Sequence, residues 1–412
     1  MEAHLTSGAE DTLIEGLKFQ PPGNTANYCI ANRSVSYFAE SGNRHDSVSS
    51  RVIRFRLADT GFLESASVRL ALTVTNQHAT NNLTPIATAG SLFRRVRLFC
   101  ASQLVEDITE YATQNTLMQR LLPSARRMND SIEGHPLTAT GYQDDYMVIP
   151  ANASRRLIMP LNLGVLSQSK WLPLHLISGG LVVELELEDV GVAFAEATPF
   201  IITDTHLMAN LHEIDSSLAN SYASHVLRGG PLHIHYSSVV SSRHLVSGSS
   251  FSLNLVRGFT RLRQVYMCFI ETSDVTKKKA RDFKSPVSAN FVTAGDDFSV
   301  QLTIGSRKWP ERASLGVGQT FMRLRQAAAC FYGTDDVSLS VGGYTSNQFI
   351  YGVDLEKAGN LGASHSGIST KDGSIVQLEV NNSGLQAGDT AMIFLVYDGL
   401  LSIRDGHCEV FE

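Results

Sequence analysis

The 412-residue chain has no apolar run approaching the roughly 18 uninterrupted residues of a membrane-spanning helix. Cysteine is sparse: Cys29, Cys100, Cys268, Cys330 and Cys408 are odd in number, far apart and without a CxxC pair. That spacing argues against a zinc ribbon and against a disulfide framework, so five reduced, mostly buried thiols in an intracellular chain are expected. A net charge of −6 gives no excess of basic residues, so no specific nucleic-acid partner is expected. The opening MEAHLTSGAEDTLIEG lacks a basic segment and an apolar core, so no secretory signal is expected. The sequons at Asn32, Asn82, Asn152 and Asn381 then read as chance matches. There is no GxSxG nucleophile motif, and no cysteine stands in a recognised catalytic context.

What the chain has is alternation. In LVVELELE (181–188), Val183, Leu185 and Leu187 point one way and Glu184, Glu186 and Glu188 the other. Period two is the mark of a strand with one apolar and one polar face. The same pattern recurs in RVIRFRL (51–57), SVRLALTVT (67–75), LFRRVRLF (92–99), RRLIMPLNL (155–163) and ITDTHLMANLHEI (202–214). The second half adds PLHIHYSSVV (231–240), SSFSLNLV (249–256), RLRQVYMCFIE (261–271), DFSVQLTI (297–304), NQFIYGVDL (347–355), SIVQLEV (374–380), TAMIFLVYD (390–398) and LLSIRDGHCEVF (400–411). Short strands at regular spacing, with turn residues between them, indicate an all-β sandwich or barrel. The regular strand–helix alternation of a parallel sheet is absent.

Three helical patterns interrupt the strands. Residues 105–130 carry Ile108, Tyr111, Leu117 and Leu121 at helical spacing, and Pro123 ends or kinks the run. Residues 216–230 start at a serine cap and stop at Gly229-Gly230. A third runs over 318–331. The first and third hold comparable places within runs of strands, and the second lies near the midpoint. The expected organisation is an N-terminal arm and first-strand region (1–50), a β unit (51–215), a linker helix (216–230) and a second β unit (231–412).

Three glutamates on one strand face repel each other. Arg54, Arg56, Arg69, Arg95 and Arg97 also lie on strands of the first half. If they share that face, each cross-strand pair contributes roughly 0.2–1 kcal/mol. Guanidinium suits interfacial pairing better than ammonium, so this polar face is expected to be covered by a neighbour.

Candidate chemistry is thin. His233 and His235 share a strand face, as a metal pair would, and a two-domain β protein with HxH suggests a bicupin. The following YSSVVSSRH supplies no carboxylate where a third ligand belongs, so packed or solvent-facing histidines are the better reading. His206 and His212 are a weaker pair of the same kind. Asp144-Asp145 and Asp335-Asp336 read as solvated turn acids, and VGGYTSN (341–347) as a turn without the lysine of a phosphate loop. The basic run KKKARDFK (277–284) could contact nucleic acid, an anionic membrane or an import receptor, but reads first as a solvated loop. No catalytic, cofactor-binding or metal residue is nominated.

Five segments, taken in order, carry a resemblance: LPLHLISGGLVVELELED (172–189), SLFRRVRLFCASQLVEDITEYATQNTLM (91–118), HEIDSSLANSYASHVLRGGPLHIHYSS (212–238), SRKWPERASLGVGQTFMRLRQAAACFYG (306–333) and MIFLVYDGLLSIRDGHCEVF (392–411). The chain resembles the double jelly-roll major capsid proteins of the adenovirus–tectivirus lineage, most like those of Polinton-like viruses, adintoviruses and virophages. The resemblance implies two eight-stranded jelly rolls side by side, with short helical insertions and a linker helix. It implies a non-enzymatic virion protein without cofactor, assembled inside the host cell. Homotrimers would form pseudo-hexagonal capsomers that tile an icosahedral shell beside neighbouring capsomers, penton and minor or cement proteins. The N-terminal arm is expected to reach beneath the shell, toward neighbours or an internal membrane. Two other functions compete: a carbohydrate- or receptor-binding β-sandwich, which calls for clustered exposed aromatics where Trp171 and Trp309 stand far apart, and the bicupin metalloenzyme.

Overall fold

The computed structural model describes residues 29–412 apart from 86, 124, 126–147, 195–198, 272–281, 288–297, 358–366 and 405. The N-terminal part of the arm, Asp144-Asp145 and most of the 277–284 basic run therefore lie outside the described residues.

Two sheets form the first sandwich. One contains β1 (Cys29–Phe38), β2 (Arg44–Asp46), β4 (Phe62–Glu64), β5 (Arg69–Asn76), β8 (Ser154–Pro160), β9 (Trp171–Pro173) and β11 (Phe200–Ile214). The other is β3 (Val52–Leu57), β10 (Leu181–Leu187), β6 (Phe93–Cys100) and β7 (Gln103–Ile108), in that order. The second sandwich repeats the plan. Its sheets are β12 (Leu232–Leu245), β19 (Thr390–Arg404), β14 (Leu262–Ile270) and β17 (Tyr351–Asp354), with β20 (His407–Phe411) on β19, and β13 (Phe251–Leu255), β18 (Val376–Asn381), β15 (Ser299–Ile304) and β16 (Arg307–Leu315). Setting aside β2, β4, β9 and β20, each sandwich has eight strands. In both, the first, eighth, third and sixth make one sheet, and the second, seventh, fourth and fifth the other. All these pairings are antiparallel. Each sandwich is an eight-strand roll.

Alternation builds both cores. In β3, Ile53, Phe55 and Leu57 are fully buried while Val52, Arg54 and Arg56 are exposed. In β10, Val183, Leu185 and Leu187 are fully buried beneath the paired sheet. At about 25 cal/mol per Å² of apolar surface removed from water, this burial is the main stabilising term.

Three helices of two or more turns are described. α1 (Tyr111–Leu121) follows β7, α2 (Ser216–Gly229) links the rolls, and α3 (Gly316–Tyr332) follows β16. α1 and α3 thus occupy the same place in each roll, between its fifth and sixth strands. The first helix starts six residues later than its apolar spacing predicts, because Val105 and Ile108 belong to β7. α2 is capped by the Asp215 carboxylate, which accepts from the Ser217 N–H at 2.8 Å, and not by a serine. α3 ends at Gly333, whose φ of 73° suits glycine.

Candidate assembly surface

The two rolls meet along a seam built from β7 and the turn Gly164–Ser167 on one side, and β12 with the end of β19 and β20 on the other. Ile234, Tyr236, Leu401, Ile403 and Cys408 of the second roll join the core of the first. Leu117, Met118 and Leu121 of α1 join the core of the second. The Tyr236 hydroxyl donates to the Val105 carbonyl at 3.2 Å. Gly164 packs directly on β12: a Cβ there would lie 1.9 Å from the Ser237 carbonyl oxygen.

At this crossing sits Glu106, fully buried, its carboxylate accepting from the Gly164 and Val165 N–H groups at 2.8 and 3.0 Å. Burial pushes its pKa from 4.5 to about 7, against the opposing pull of those two donors. Nearby, Cys100 on β6 and Cys408 on β20 are disulfide-bonded across 308 residues, with Cα atoms 6.0 Å apart. This corrects the expectation of five reduced thiols. Spacing along the chain carried no sign of it, since the fold alone brings β6 and β20 together.

α1 shows what the seam does. Every residue of it is buried, including Gln114, Asn115, Thr116, Gln119 and Arg120, because it is gripped by both rolls. The Arg120 guanidinium lies 4.4 Å from the Phe283 ring centre, and the Tyr332 hydroxyl of α3 donates to the Met118 carbonyl. α3, its counterpart, buries Thr320, Leu324, Ala327 and Ala328 and leaves Met322 exposed. The contrast extends to the fifth strands: β7 buries Val105, Glu106 and Ile108, whereas β16 is largely exposed. Between β16, α3 and β17 runs an open groove of about 550 Å³, lined by Trp309, Pro310, Glu311, Arg323, Cys330 and Asp354 among others.

The glutamate face of β10 has partners. Glu184 lies between Arg54 on β3 and Arg97 on β6, at 3.9 and 2.9 Å. Arg56 pairs with Glu40, and Arg95 makes a two-bond fork with Asp107 at 2.7 and 2.6 Å. Glu188 lies beyond the strand end, its pKa raised by burial. Arg69 does not share this face. It is on β5 of the opposite sheet, where it donates to the Ala66 and Val68 carbonyls. Arg54 and Arg56 stay nearly half exposed in the single chain, at 45% and 47%.

The other candidates find ordinary places. His233 and His235 project from the exposed side of β12, opposite the seam residues Ile234 and Tyr236. His206 lies against the Phe38 ring, while His212, six residues on along β11, stacks on Trp171. Among the described residues, no group of three or more His, Cys, Asp or Glu side chains is arranged to hold a metal. Asp335 pairs with Arg325 on the surface. Residues 341–344 form one helical turn, in which the Gly343 N–H donates to the Ser340 hydroxyl. Lys284 is the described basic end of the 277–284 run, and it is structural: it pairs with Asp389 at 2.8 Å and Glu271 at 3.5 Å. Trp171 and Trp309 lie in different rolls, on β9 and β16. Among the described residues, no helix is long and apolar enough to cross a membrane.

No protein-family model matches the chain, and no curated protein matches it in sequence. Solved structures do. The PBCV-1 virus capsid aligns with a TM-score of 0.65 over 94% of this chain and 98% of that one, at 11% identity. The Faustovirus major capsid protein aligns at 0.64 over 98% and 96%, at 8% identity. The Sputnik virophage structure aligns at 0.58 over 98% and 92%, at 9% identity. The fold is the double jelly roll. At such low identity it is the architecture that is shared: the double jelly roll keeps its paired eight-strand topology while nearly all side chains differ. Each of these neighbours aligns through both rolls, so the likeness extends to the seam-joined pair and not to one sandwich alone.

Proposed function

We propose that this chain is a viral major capsid protein that forms trimers of pseudo-hexagonal outline, the tiles of an icosahedral virion shell. The double jelly-roll fold, shared along nearly the whole chain with capsid proteins, supports the class. One observation carries the trimer: α1 and β7 are covered by the other roll, whereas α3 and β16, at the equivalent place in the second roll, are open. Inside the chain, the fifth-strand flank of one roll receives the first strand and last hairpin of the next. Repeating that contact between chains sets the α3–β16 groove of one copy against β1 and the end of β11 of another. Such head-to-tail contacts close into a ring when the rotation allows. Six rolls around one axis are three chains.

The role proposed is structural and not catalytic. Subunit contacts of obligate type commonly bury more than about 2,000 Å², and the half-exposed Arg54 and Arg56 belong to a face that a neighbour covers. Neighbouring capsomers, penton and minor capsid proteins are the further partners of this reading. Light scattering on the size-fractionated protein tests it: a mass three times the 44.9 kDa chain is expected. A single-chain mass at every concentration and salt condition would contradict it.

A further inference from the structure

Three strands of the first roll bring together a thiol, an imidazole and a carboxylate that the assembly reading does not use. β11 lies between β1 and β4, and β4 pairs with β9. This places Cys29 Sγ 3.7 Å from His212 Nδ1, and His212 Nε2 3.6 Å from the Glu64 carboxylate. Nε2 is buried without a hydrogen-bond partner. The imidazole is held by Trp171, stacked on it at 3.9 Å and 6°. The carboxylate is held by the Asn210 amide, which donates to it at 3.1 Å. A carboxylate on the Nε2 side favours the tautomer with its proton there, which leaves Nδ1 as the acceptor facing the thiol. A thiol beside such a base is the usual arrangement for a reactive cysteine.

We propose that Cys29 is a modification site, a thiol that His212 activates for exchange with small-molecule disulfides. In the step, the thiol proton passes to His212 Nδ1 and Cys29 Sγ attacks one sulfur of R–S–S–R. The Cys29–S–S–R bond forms as the old S–S bond breaks, and the departing thiolate takes the proton from His212. No other oxidant is needed. The chain's two remaining unbridged cysteines are built the opposite way. Cys268 is fully buried, and its thiol is pushed up by that burial. The Cys330 thiol donates to Asp354 at 3.1 Å and is pushed up to about 12, by burial first and then by that carboxylate. Cys29 is half-buried at the start of an edge strand.

The test is oxidised glutathione added at pH 7 to the chain, kept monomeric by Met322→Asp if the wild type assembles, with peptide-resolved mass spectrometry over time. Cys29 is expected to take up the adduct at least about tenfold faster than Cys330, since even an ordinary thiol is only a few per cent ionised at that pH and the Cys330 thiol is pushed up further. His212→Gln is expected to slow Cys29 by about tenfold while leaving the Cys330 rate unchanged, which also checks the fold. Should His212→Gln disturb packing under Trp171, Glu64→Gln on the half-exposed rim serves instead, with a several-fold slowing expected. Equal rates at Cys29 and Cys330, or a Cys29 rate indifferent to both substitutions in chains of unchanged melting temperature, would overturn the inference. Because the proposed trimer covers β1, the end of β11 and the groove that holds Cys330, both readouts are taken on the single chain.

Discussion

Gly164 and Ser237 belong to different rolls and leave no room between them: a methyl on Gly164 would lie 1.9 Å from the Ser237 carbonyl oxygen. The obstacle is backbone, which cannot rotate away as a side chain can. Gly164→Ala therefore forces the turn off β12 and opens the seam. Thermal and denaturant unfolding should show a loss of more than about 3 kcal/mol, at the upper end of overpacking costs. Protease cleavage near α2 should accelerate.

Glu106 makes the seam pH-dependent. Its folded-state pKa of about 7 lies above the ordinary 4.5, so the folded chain holds this proton more tightly than the unfolded one. The stabilisation is complete below pH 4.5 and is lost as pH rises through 7. The change should be on the order of 3 kcal/mol across that window. Glu106→Gln should remove this part of the pH dependence of the melting temperature, and an unaltered slope would count against the assignment.

The Cys100–Cys408 bridge ties β20 to the first roll. It closes a loop of about 300 residues, for which chain entropy gives roughly 6 kcal/mol. Cys408→Ser, or reductant, should lower the melting temperature by several degrees, and the untreated chain should weigh two hydrogens less than the reduced one.

Much of this double jelly roll was legible in the sequence, and the gaps have physical causes. Ile53, Phe55 and Leu57 on β3, and Val183, Leu185 and Leu187 on β10, announce their strands because one face meets the core and the other does not. β7 hid inside a helical pattern because Val105 and the adjacent Glu106 are both buried, which destroys the alternation. β2, β4 and β9 are three residues long, too short for any period to show. The spacing of Tyr111, Leu117 and Leu121 announces α1, but not that Gln114, Asn115 and Gln119 on its polar positions are buried as well. The Glu184 pairing was readable from charge alone. That Arg69 faces elsewhere required the sheet order, and Cys29, His212 and Glu64 meet only through the pairing of three strands.

Met322 is an exposed apolar side chain on α3, 45% accessible, facing away from the roll's own core. Met322→Asp should leave the single chain's unfolding free energy within about 0.5 kcal/mol, as surface changes do. It should prevent association, read as a shift from trimer to monomer in sedimentation velocity. Loss of stability without loss of association would place Met322 in the wrong role.

The most direct measurement is an electron cryomicroscopy map of the purified, assembled protein. Three copies around one axis, each α3–β16 groove filled by β1 and the end of β11 from the next chain, is the result expected. A map in which that groove faces solvent in every copy, or particles of a single chain, would contradict the account.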